Sequence, residues 1–206
     1  MSIFNELFPR IEPLPWVEIN LAKEWAKRSH LDMKNVIDQE LLLFELSRGR
    51  TVRTYGGFYE DRTELWKGFE KDAEKMIHLG IDFNNLDAGD VVASICDGKV
   101  LDVSIDRSEF NGWGAKIIIE TEKYYIIYGH LMFPLIAAGD EVSKGQILGY
   151  VADSGKNGGW FPHIHLQIMR KSGINIPILD VDGYEFIPDQ VKGVVNPLTF
   201  DKNNSL

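Results

Sequence analysis

The segment Pro162-His163-Ile164-His165-Leu166 places two histidines two residues apart. Two earlier segments, His78-Leu79-Gly80-Ile81-Asp82 and Tyr128-Gly129-His130, hold two more of the chain's five histidines and an aspartate. Residues two apart on a β-strand face the same side, so His163 and His165 can point to one site. His78 and Asp82, four apart with a glycine between them, can converge on the same point from a loop or strand end. The three segments together predict one functional site.

The residue types in these segments indicate a metal centre. Two imidazoles and one carboxylate suffice for a catalytic zinc ion, which takes three protein ligands and leaves one position for water. Such a site acidifies water and polarises a carbonyl. Two further histidines could accept a proton, or donate to an oxyanion and a leaving amine. Each motif alone is weak evidence, and His30, which has no partner motif, is interpreted as an ordinary structural or surface residue.

Composition and charge limit the kind of protein. The chain has 206 residues, 44% hydrophobic and 26% charged, which suits one globular domain with, at most, a small appendage. The net charge of -9 argues against nucleic acid as a partner, and against tight binding to anionic membranes or cell-wall polymers. The single cysteine, Cys96, excludes an internal disulfide and is interpreted as a small buried hydrophobe.

The N-terminal sequence bears on location. Residues 1–10 lack a basic start followed by an apolar core, so we expect no secretory signal. No apolar run approaches the roughly 20 residues that span a bilayer. These features predict a cytoplasmic protein that does not associate with membranes, and leave export by a signal-less route open. The oligomeric state stays undetermined.

The first 75 residues predict a helical region followed by a glycine-rich loop. Residues 1–16 are rich in proline and aromatic residues and are expected to be extended. Helices are predicted over residues 17–29 and from an Asp32 N-cap to about Ser47, with Gly49 ending the second. Residues 55–62 predict a turn-rich loop, and a short helix is expected over residues 63–72.

From residue 76 the pattern changes to short strands separated by Gly and Asp turns. Strands are predicted at residues 91–95, 99–103, 116–120, 124–128, 147–151 and 163–168. The fold class is therefore α+β: mainly an antiparallel β-sheet with an N-terminal helical region. The predicted domains are a helical region and loop at residues 1–75, a β domain at residues 76–200, and a polar tail at residues 201–206.

The order of these motifs resembles the lysostaphin/LytM-type zinc metalloendopeptidases. The resemblance runs from about residue 77 to 168, a little under half of the chain. It includes the three histidine segments and the stretches Ala88–Ala93, Asp97–Val100 and Gly139–Gly149. This resemblance implies a β-sheet groove with zinc on its floor, held by His78, Asp82 and His165. It makes His130 and His163 the catalytic pair, without deciding which is the general base.

The resemblance implies a peptidase that cuts peptide bonds, most often in peptidoglycan-type peptides between small residues. Two alternatives stay open: an intracellular zinc hydrolase acting on a non-cell-wall amide or peptide, and a non-catalytic binding module of the same fold. All five site residues are present, which disfavours the module. Latent members of the family have a plugged groove, so the N-terminal helices could act in the same way.

Several residues near the motifs have two interpretations. The segment at residues 157–162 replaces the small Ser/Thr-Gly loop that is usual in this family just before His163-Ile164-His165, and its Trp160 and Phe161 either pack in their loop or contact substrate. Tyr55 and Tyr59 are candidates for supporting an oxyanion, although packing under the first helices is slightly preferred. The segment Glu60-Asp61-Arg62 is interpreted as a solvated turn, with substrate binding as the minority interpretation.

Overall fold

Three short α-helices, three 3₁₀ turns and fourteen strands make up the regular structure of the described residues. This computed structural model describes residues 2–67, 74–106, 112–153, 157, 159–186 and 191–200. The helices are α1 (Ile3–Leu7), α2 (Leu21–Ala26) and α3 (Val36–Leu46). The strands are β1 (Trp16–Ile19), β2 (Arg53–Gly56), β3 (Glu60–Asp61), β4 (Ile77–His78), β5 (Ile81–Asn84), β6 (Val91–Ala93), β7 (Gly98–Ile105), β8 (Ala115–Glu120), β9 (Tyr124–Met132), β10 (Glu141–Val142), β11 (Ile147–Val151), β12 (His163–Arg170), β13 (Tyr184–Glu185) and β14 (Val194–Val195).

Two sheets are formed in the described part of the chain. The larger has eleven strands, with the main order β1-β2-β5-β12-β9-β8-β7-β10; β11 pairs with β6 and β9, and β14 pairs with β12. Its pairs are antiparallel except for β1 with β2. The smaller sheet has the order β13-β4-β3. The predicted α+β fold, dominated by an antiparallel sheet, is confirmed.

The central strand β12 shows why the sheet has a core face and a site face. Its side chains alternate between the two faces. Ile164, Leu166 and Ile168 lie in the main hydrophobic core. His163, His165 and Gln167 face the other way and are also buried. On the neighbouring strand β5 the core residues Ile81 and Phe83 alternate with Asp82 and Asn84 in the same manner.

The N-terminal residues join this architecture instead of lying apart from it. Residues Ile3, Leu7 and Phe8 are buried in the main core. Phe4 stacks on Trp16 at a ring-centroid separation of 4.9 Å. A second apolar cluster places the side chains of α2 and α3 against the segment just before β12, and its buried members are Leu21, Leu31, Met33, Leu42, Leu43, Leu65, Trp160 and Phe161.

Some predictions for the N-terminal region were wrong in detail. Residues 1–16 contain the helix α1, and Val17 lies in β1 instead of a helix because it pairs in parallel with Thr54. The helix α3 is capped by the side chain of Asn35, not by Asp32. The expected loop at residues 55–62 contains parts of β2 and β3.

Other expectations cannot be followed over their whole length. Residues 63–67 form turns, and the rest of the helix expected over 63–72 lies outside the described residues, as does the tail at 201–206. The six strands predicted after residue 90 are all present, with ends shifted by a few residues. Among the described residues, no helix has the length and apolarity needed to cross a membrane.

Candidate metal and catalytic site

His78, Asp82 and His165 bring three metal-binding atoms to one point. The Nε2 atom of His78 lies 3.0 Å from Nδ1 of His165, and Oδ1 of Asp82 lies 3.2 Å from the first and 3.1 Å from the second. Direct pairing of β5 with β12 sets His165 opposite Asp82. His78 comes from the end of β4 in the smaller sheet. All three side chains are buried.

Each ligand histidine is oriented through its other ring nitrogen. Nδ1 of His78 lies 2.9 Å from the carbonyl oxygen of Gly57, and Nε2 of His165 lies 3.0 Å from Oε1 of Gln167. A carbonyl and an amide oxygen can only accept, so both contacts require an N–H on that nitrogen. The lone pairs of His78 Nε2 and His165 Nδ1 are therefore left facing Asp82. This is the usual way in which a second layer orients metal-binding histidines.

Asp82 is ionised by its surroundings. Burial raises the pKa of its carboxyl, but His78 and Arg62 outweigh burial and hold that pKa well below its usual value. The Arg62 guanidinium donates to Oδ2 of Asp82 at 2.7 Å. Burial, with the Arg62 charge adding to it, lowers the pKa of His78 to about 4, so its imidazole is neutral at pH 7. A neutral imidazole and a carboxylate are the forms that bind metal.

His130 and His163 form a second pair beside the three ligand residues. Their ring centroids are 4.2 Å apart. His163 donates through Nδ1–H to the carbonyl oxygen of Phe161 at 2.8 Å, which leaves the Nε2 lone pair free. Burial lowers the pKa of His163 to about 4, and burial together with the other histidines lowers that of His130 well below its usual range. Both rings are thus neutral at pH 7.

An irregularity in β9 turns His130 towards the site. Tyr128 on β9 pairs with Ile117 on β8, and Leu131 pairs with Ala115. Two residues of β9 therefore lie between these pairs, opposite a single residue of β8, so β9 bulges by one residue here. Such a bulge re-aims side chains. Tyr128 and Leu131 both lie in the core, while His130 adopts a φ of 64°. Without the bulge, simple alternation would place His130 on the same side as Tyr128.

Glycines leave space for the rings of the site. A Cβ atom at Gly80 would lie 2.5 Å from Nε2 of His165, and one at Gly129 would lie 2.5 Å from the ring of Trp113. Trp113 in turn packs edge-on against His165 at a ring-centroid distance of 5.3 Å and stacks on His130 at 5.9 Å. The rings could not approach each other if either glycine carried a side chain.

The site opens into a cleft of about 150 Å³. His78, Asp82, His130, His163 and His165 all line it. Part of its lining comes from the N-terminal region and part from residues 182–186. The lining residues from these two regions are Met33, Lys34, Gln39, Arg62, Trp66, Asp182, Gly183, Tyr184 and Phe186. The structure thus brings together all five predicted site residues, while His30 is exposed and does not line the cleft.

The interpretation of Glu60 and Arg62 as a solvated turn was wrong. Both side chains are buried, at 4% and 3% exposure, because each is fully paired within the protein. The guanidinium of Arg62 donates to Glu60, to Asp82 and to the hydroxyl of Tyr184. Only Asp61 of this segment is exposed. Sequence spacing carries no signal for this pairing, because the partners lie 20 and 122 residues away.

The structure places three of the four aromatic candidates in packed positions and one at the surface. Tyr55 packs against Phe4 at 5.0 Å, as expected, but the packing expected for Tyr59 was wrong, because its side chain is exposed. Trp160 and Phe161 are buried in the second apolar cluster, although Trp160 also lines the cleft. The tyrosine beside the site is Tyr184, whose ring lies 5.1 Å from that of His78 and which sequence reasoning missed. Gln167 was also missed, although its period-two spacing from His163 and His165 could have indicated it.

The donor set fits a zinc ion. Zinc binds histidine nitrogen and carboxylate oxygen at about 2.0–2.2 Å, which in a tetrahedral site separates the ligand atoms by about 3.3–3.6 Å. The observed separations of 3.0–3.2 Å lie just below this range, so small outward movements of the three side chains would admit the ion. These are the residues that form a metal-compatible group in the described part of the chain.

Residues 76–176 match the family model described as "Peptidase family M23". This segment of the chain is therefore similar to peptidase family M23. The M23 segment contains all five histidine and aspartate residues of the site. The resemblance to the lysostaphin/LytM-type enzymes is thereby confirmed.

Curated and solved proteins show the same likeness to the M23 segment. The glycyl-glycine endopeptidase ALE-1 of Staphylococcus capitis is 30% identical over 114 residues, 52% of this chain and 30% of that protein. The chain thus spans under a third of this relative. The lysostaphin catalytic domain of Staphylococcus simulans is 29% identical over 46% of this chain and 68% of its own, with a TM-score of 0.40. A zinc-containing peptidase of Vibrio cholerae is 30% identical over 52% and 29% of the two chains, also with a TM-score of 0.40.

Proposed function

We propose that this protein is a zinc-dependent peptidase that hydrolyses peptide bonds. The observation that carries the proposal is the convergence of His78 Nε2, Asp82 Oδ1 and His165 Nδ1 within 3.2 Å of one another, inside a segment that matches the M23 family. A zinc ion held there would supply a Lewis acid that polarises a carbonyl and acidifies a water molecule.

The remaining residues have roles that follow from their protonation. His163 is assigned as the general base, because Phe161 holds the proton on Nδ1 and leaves the Nε2 lone pair free to accept a proton. His130, neutral and packed on His163, is assigned to donate an N–H to the developing oxyanion. Trp113 and Trp160 line the cleft, and their apolar rings are assigned to keep water away from the reacting groups.

The substrate class follows from the relatives and is part of the proposal. Peptidoglycan-type peptides are supported by the M23 match and by the curated relative, which is named a glycyl-glycine endopeptidase. A non-cell-wall peptide or amide is the second candidate. The net charge of -9 favours it, because an acidic protein is repelled by anionic cell-wall polymers.

The first experiment measures zinc content and peptide cleavage on the same samples. We expect about one zinc per chain in the wild type and none in His165→Ala. His130→Ala should keep its zinc and lose turnover by about 10²–10⁴-fold, the usual contribution of a positioned acid–base group. His30→Ala, which changes an exposed histidine outside the cleft, should behave as the wild type.

The outcomes separate the candidate functions. Cleavage of pentaglycine or of peptidoglycan stem peptides would support the cell-wall substrate, and cleavage of other peptides alone would support the second candidate. Zinc binding without cleavage of any peptide would favour a binding module. A wild type that holds no zinc after zinc is supplied would overturn the proposal.

A further inference from the structure

Arg62 is a buried cation beside the metal-binding residues that lies outside the M23 segment. It lies just after the short strand β3 and lines the cleft. A Cβ atom at Gly57 would lie 2.5 Å from its Nη2 and 2.6 Å from Nδ1 of His78, so the two side chains are packed tightly around that glycine. A side chain at position 57 would displace Arg62, His78 or both.

The two carboxylate oxygens of Asp82 make different contacts, one with the histidines and one with Arg62. Oδ1 faces the nitrogens of His78 and His165 at 3.2 and 3.1 Å. Oδ2 accepts a hydrogen bond from Nη1 of Arg62 at 2.7 Å. A charge-assisted contact of this length is among the stronger hydrogen bonds in proteins. Asp82 thus presents a single oxygen to a metal.

The other side of Arg62 is anchored to the N-terminal region. Its Nε donates to Oε2 of Glu60 at 2.8 Å, and the second oxygen of Glu60 accepts the backbone N–H of Ala22 in α2 at 2.7 Å. Nη1 also donates to the hydroxyl of Tyr184 at 3.1 Å. A continuous chain of hydrogen bonds therefore joins α2 to Asp82 through Glu60 and Arg62.

The series of hydrogen bonds from α2 to Asp82 requires a guanidinium at position 62. Its planar fork donates in several fixed directions at once, which a lysine ammonium does not reproduce. The buried charge of Arg62 is balanced by two carboxylates, Glu60 and Asp82. Removing the cation would leave these carboxylates buried without the charge that balances them, and Oδ2 of Asp82 would lose its hydrogen bond, so that Asp82 would be free to rotate or to offer both oxygens.

We propose that Arg62 is a positioning residue that holds Asp82 for single-oxygen binding of the metal, and that Glu60 and α2 hold Arg62. This inference rests on the proposed zinc peptidase function. It gives the N-terminal region a direct part in building the metal site.

The test compares zinc affinity in metal-free protein titrated against a competing chelator. We expect the zinc dissociation constant to rise about 10–100-fold in Arg62→Met, the range found when a second-layer partner is removed. Arg62→Lys should also bind zinc more weakly than the wild type, although it keeps the charge. Cobalt(II) provides a spectroscopic check: a second oxygen from Asp82 would raise the coordination number and weaken the visible absorption bands of the variants.

Arg53 provides a matched control. It is a buried arginine on β2 that donates to the carbonyl oxygen of Glu12 and lies over the ring of Trp16, without touching the site. Arg53→Met should lower the melting temperature while leaving the zinc dissociation constant and the cobalt spectrum unchanged. Chemical rescue adds a second check: millimolar guanidinium, but not urea, should restore zinc affinity to Arg62→Ala.

The outcomes distinguish the two proposals. Wild-type zinc affinity and an unchanged cobalt spectrum in folded Arg62→Lys and Arg62→Met would overturn the positioning role and leave the peptidase proposal intact. Failure of the wild type to bind zinc would overturn both. If Arg62→Met does not fold, Arg62→Lys and the guanidinium rescue of Arg62→Ala decide the question, and a rescue by urea as strong as that by guanidinium counts against it.

Discussion

Gly80 shows how a single absent side chain permits the metal site. It lies between the two ligand residues His78 and Asp82, and its missing Cβ leaves the space occupied by Nε2 of His165. A Cβ there would also lie 2.7 Å from the carbonyl oxygen of Leu166. The backbone on β12 cannot retreat, because it pairs with β5 and β9 on either side. The ring of His165 would have to move.

We therefore expect Gly80→Ala to weaken zinc binding by at least about 10-fold, as when the orientation of a metal-binding histidine is lost. The measurement is the chelator-competition titration. Gly89→Ala is the control: its Cβ would meet nothing within 4 Å, but its φ of 94° strains any other residue. That variant should lose about 1 kcal/mol of stability and keep its zinc affinity. Equal zinc affinity in Gly80→Ala and the wild type would contradict the steric argument.

The short helix α1 illustrates how elements outside the M23 segment support it. It has only five residues, too few to be stable as an isolated helix. Its stability comes from packing: Ile3 and Leu7 lie in the main core, and the ring of Phe4 contacts that of Phe83 on β5. Phe83 lies next to Asp82 in the sequence, so α1 packs on the opposite side of the strand that carries a metal ligand.

Leu7→Ala should consequently lower the free energy of unfolding by about 2–5 kcal/mol, because Leu7 is fully buried and its truncation leaves a cavity. Urea unfolding of the metal-free protein measures the loss. The comparison is Ile37→Ala in α3, where the side chain is 70% exposed and the expected change is within about 0.5 kcal/mol. Similar values for the two variants would mean that α1 does not dock as described.

At the scale of the whole molecule, the N-terminal region forms one wall of the cleft. Met33, Lys34 and Gln39 line it, and β1 extends the main sheet through β2. The amide of Gln39 donates to the carbonyl oxygens of Met33 and Gly159, which ties this wall to the loop before β12. The five site residues nevertheless line the cleft beside this wall. The arrangement favours a structural wall over a plug.

Deleting residues 1–50 discriminates between these roles. As a wall and a core component, the segment is needed for folding, so the truncated chain should be aggregated or unfolded by circular dichroism and gel filtration. It would expose Phe83 and remove the β1 partner of β2. If the segment were a plug, the truncated chain would instead be soluble, folded and more active than the full chain.

The domain boundary predicted between residues 75 and 76 stays a prediction, although strands from both sides of it share one sheet.

Much of the fold could be predicted because its signals are local. The alternation His163-Ile164-His165-Leu166-Gln167 assigns one face of β12 to the core and the other to the site. The Gly and Asp residues of the turns are also local signals, and they correctly predicted where the later strands begin and end to within a few residues. The N-terminal predictions failed at β1, where the pairing of Val17 with Thr54 outweighs a helical spacing of apolar residues. Such long-range pairing leaves no trace in a local pattern.

The sequence by itself determined which residues make up the candidate metal site and which chemistry they suit, because histidine and aspartate side chains supply the nitrogen and oxygen atoms that zinc binds. Tertiary structure alone decided the orientation of His130, which depends on a bulge in β9. It also decided the partners of Asp82, since Arg62 and Tyr184 approach from distant parts of the chain. Hydrogen bonds and side-chain direction are set by backbone geometry in three dimensions, and residue spacing does not encode them.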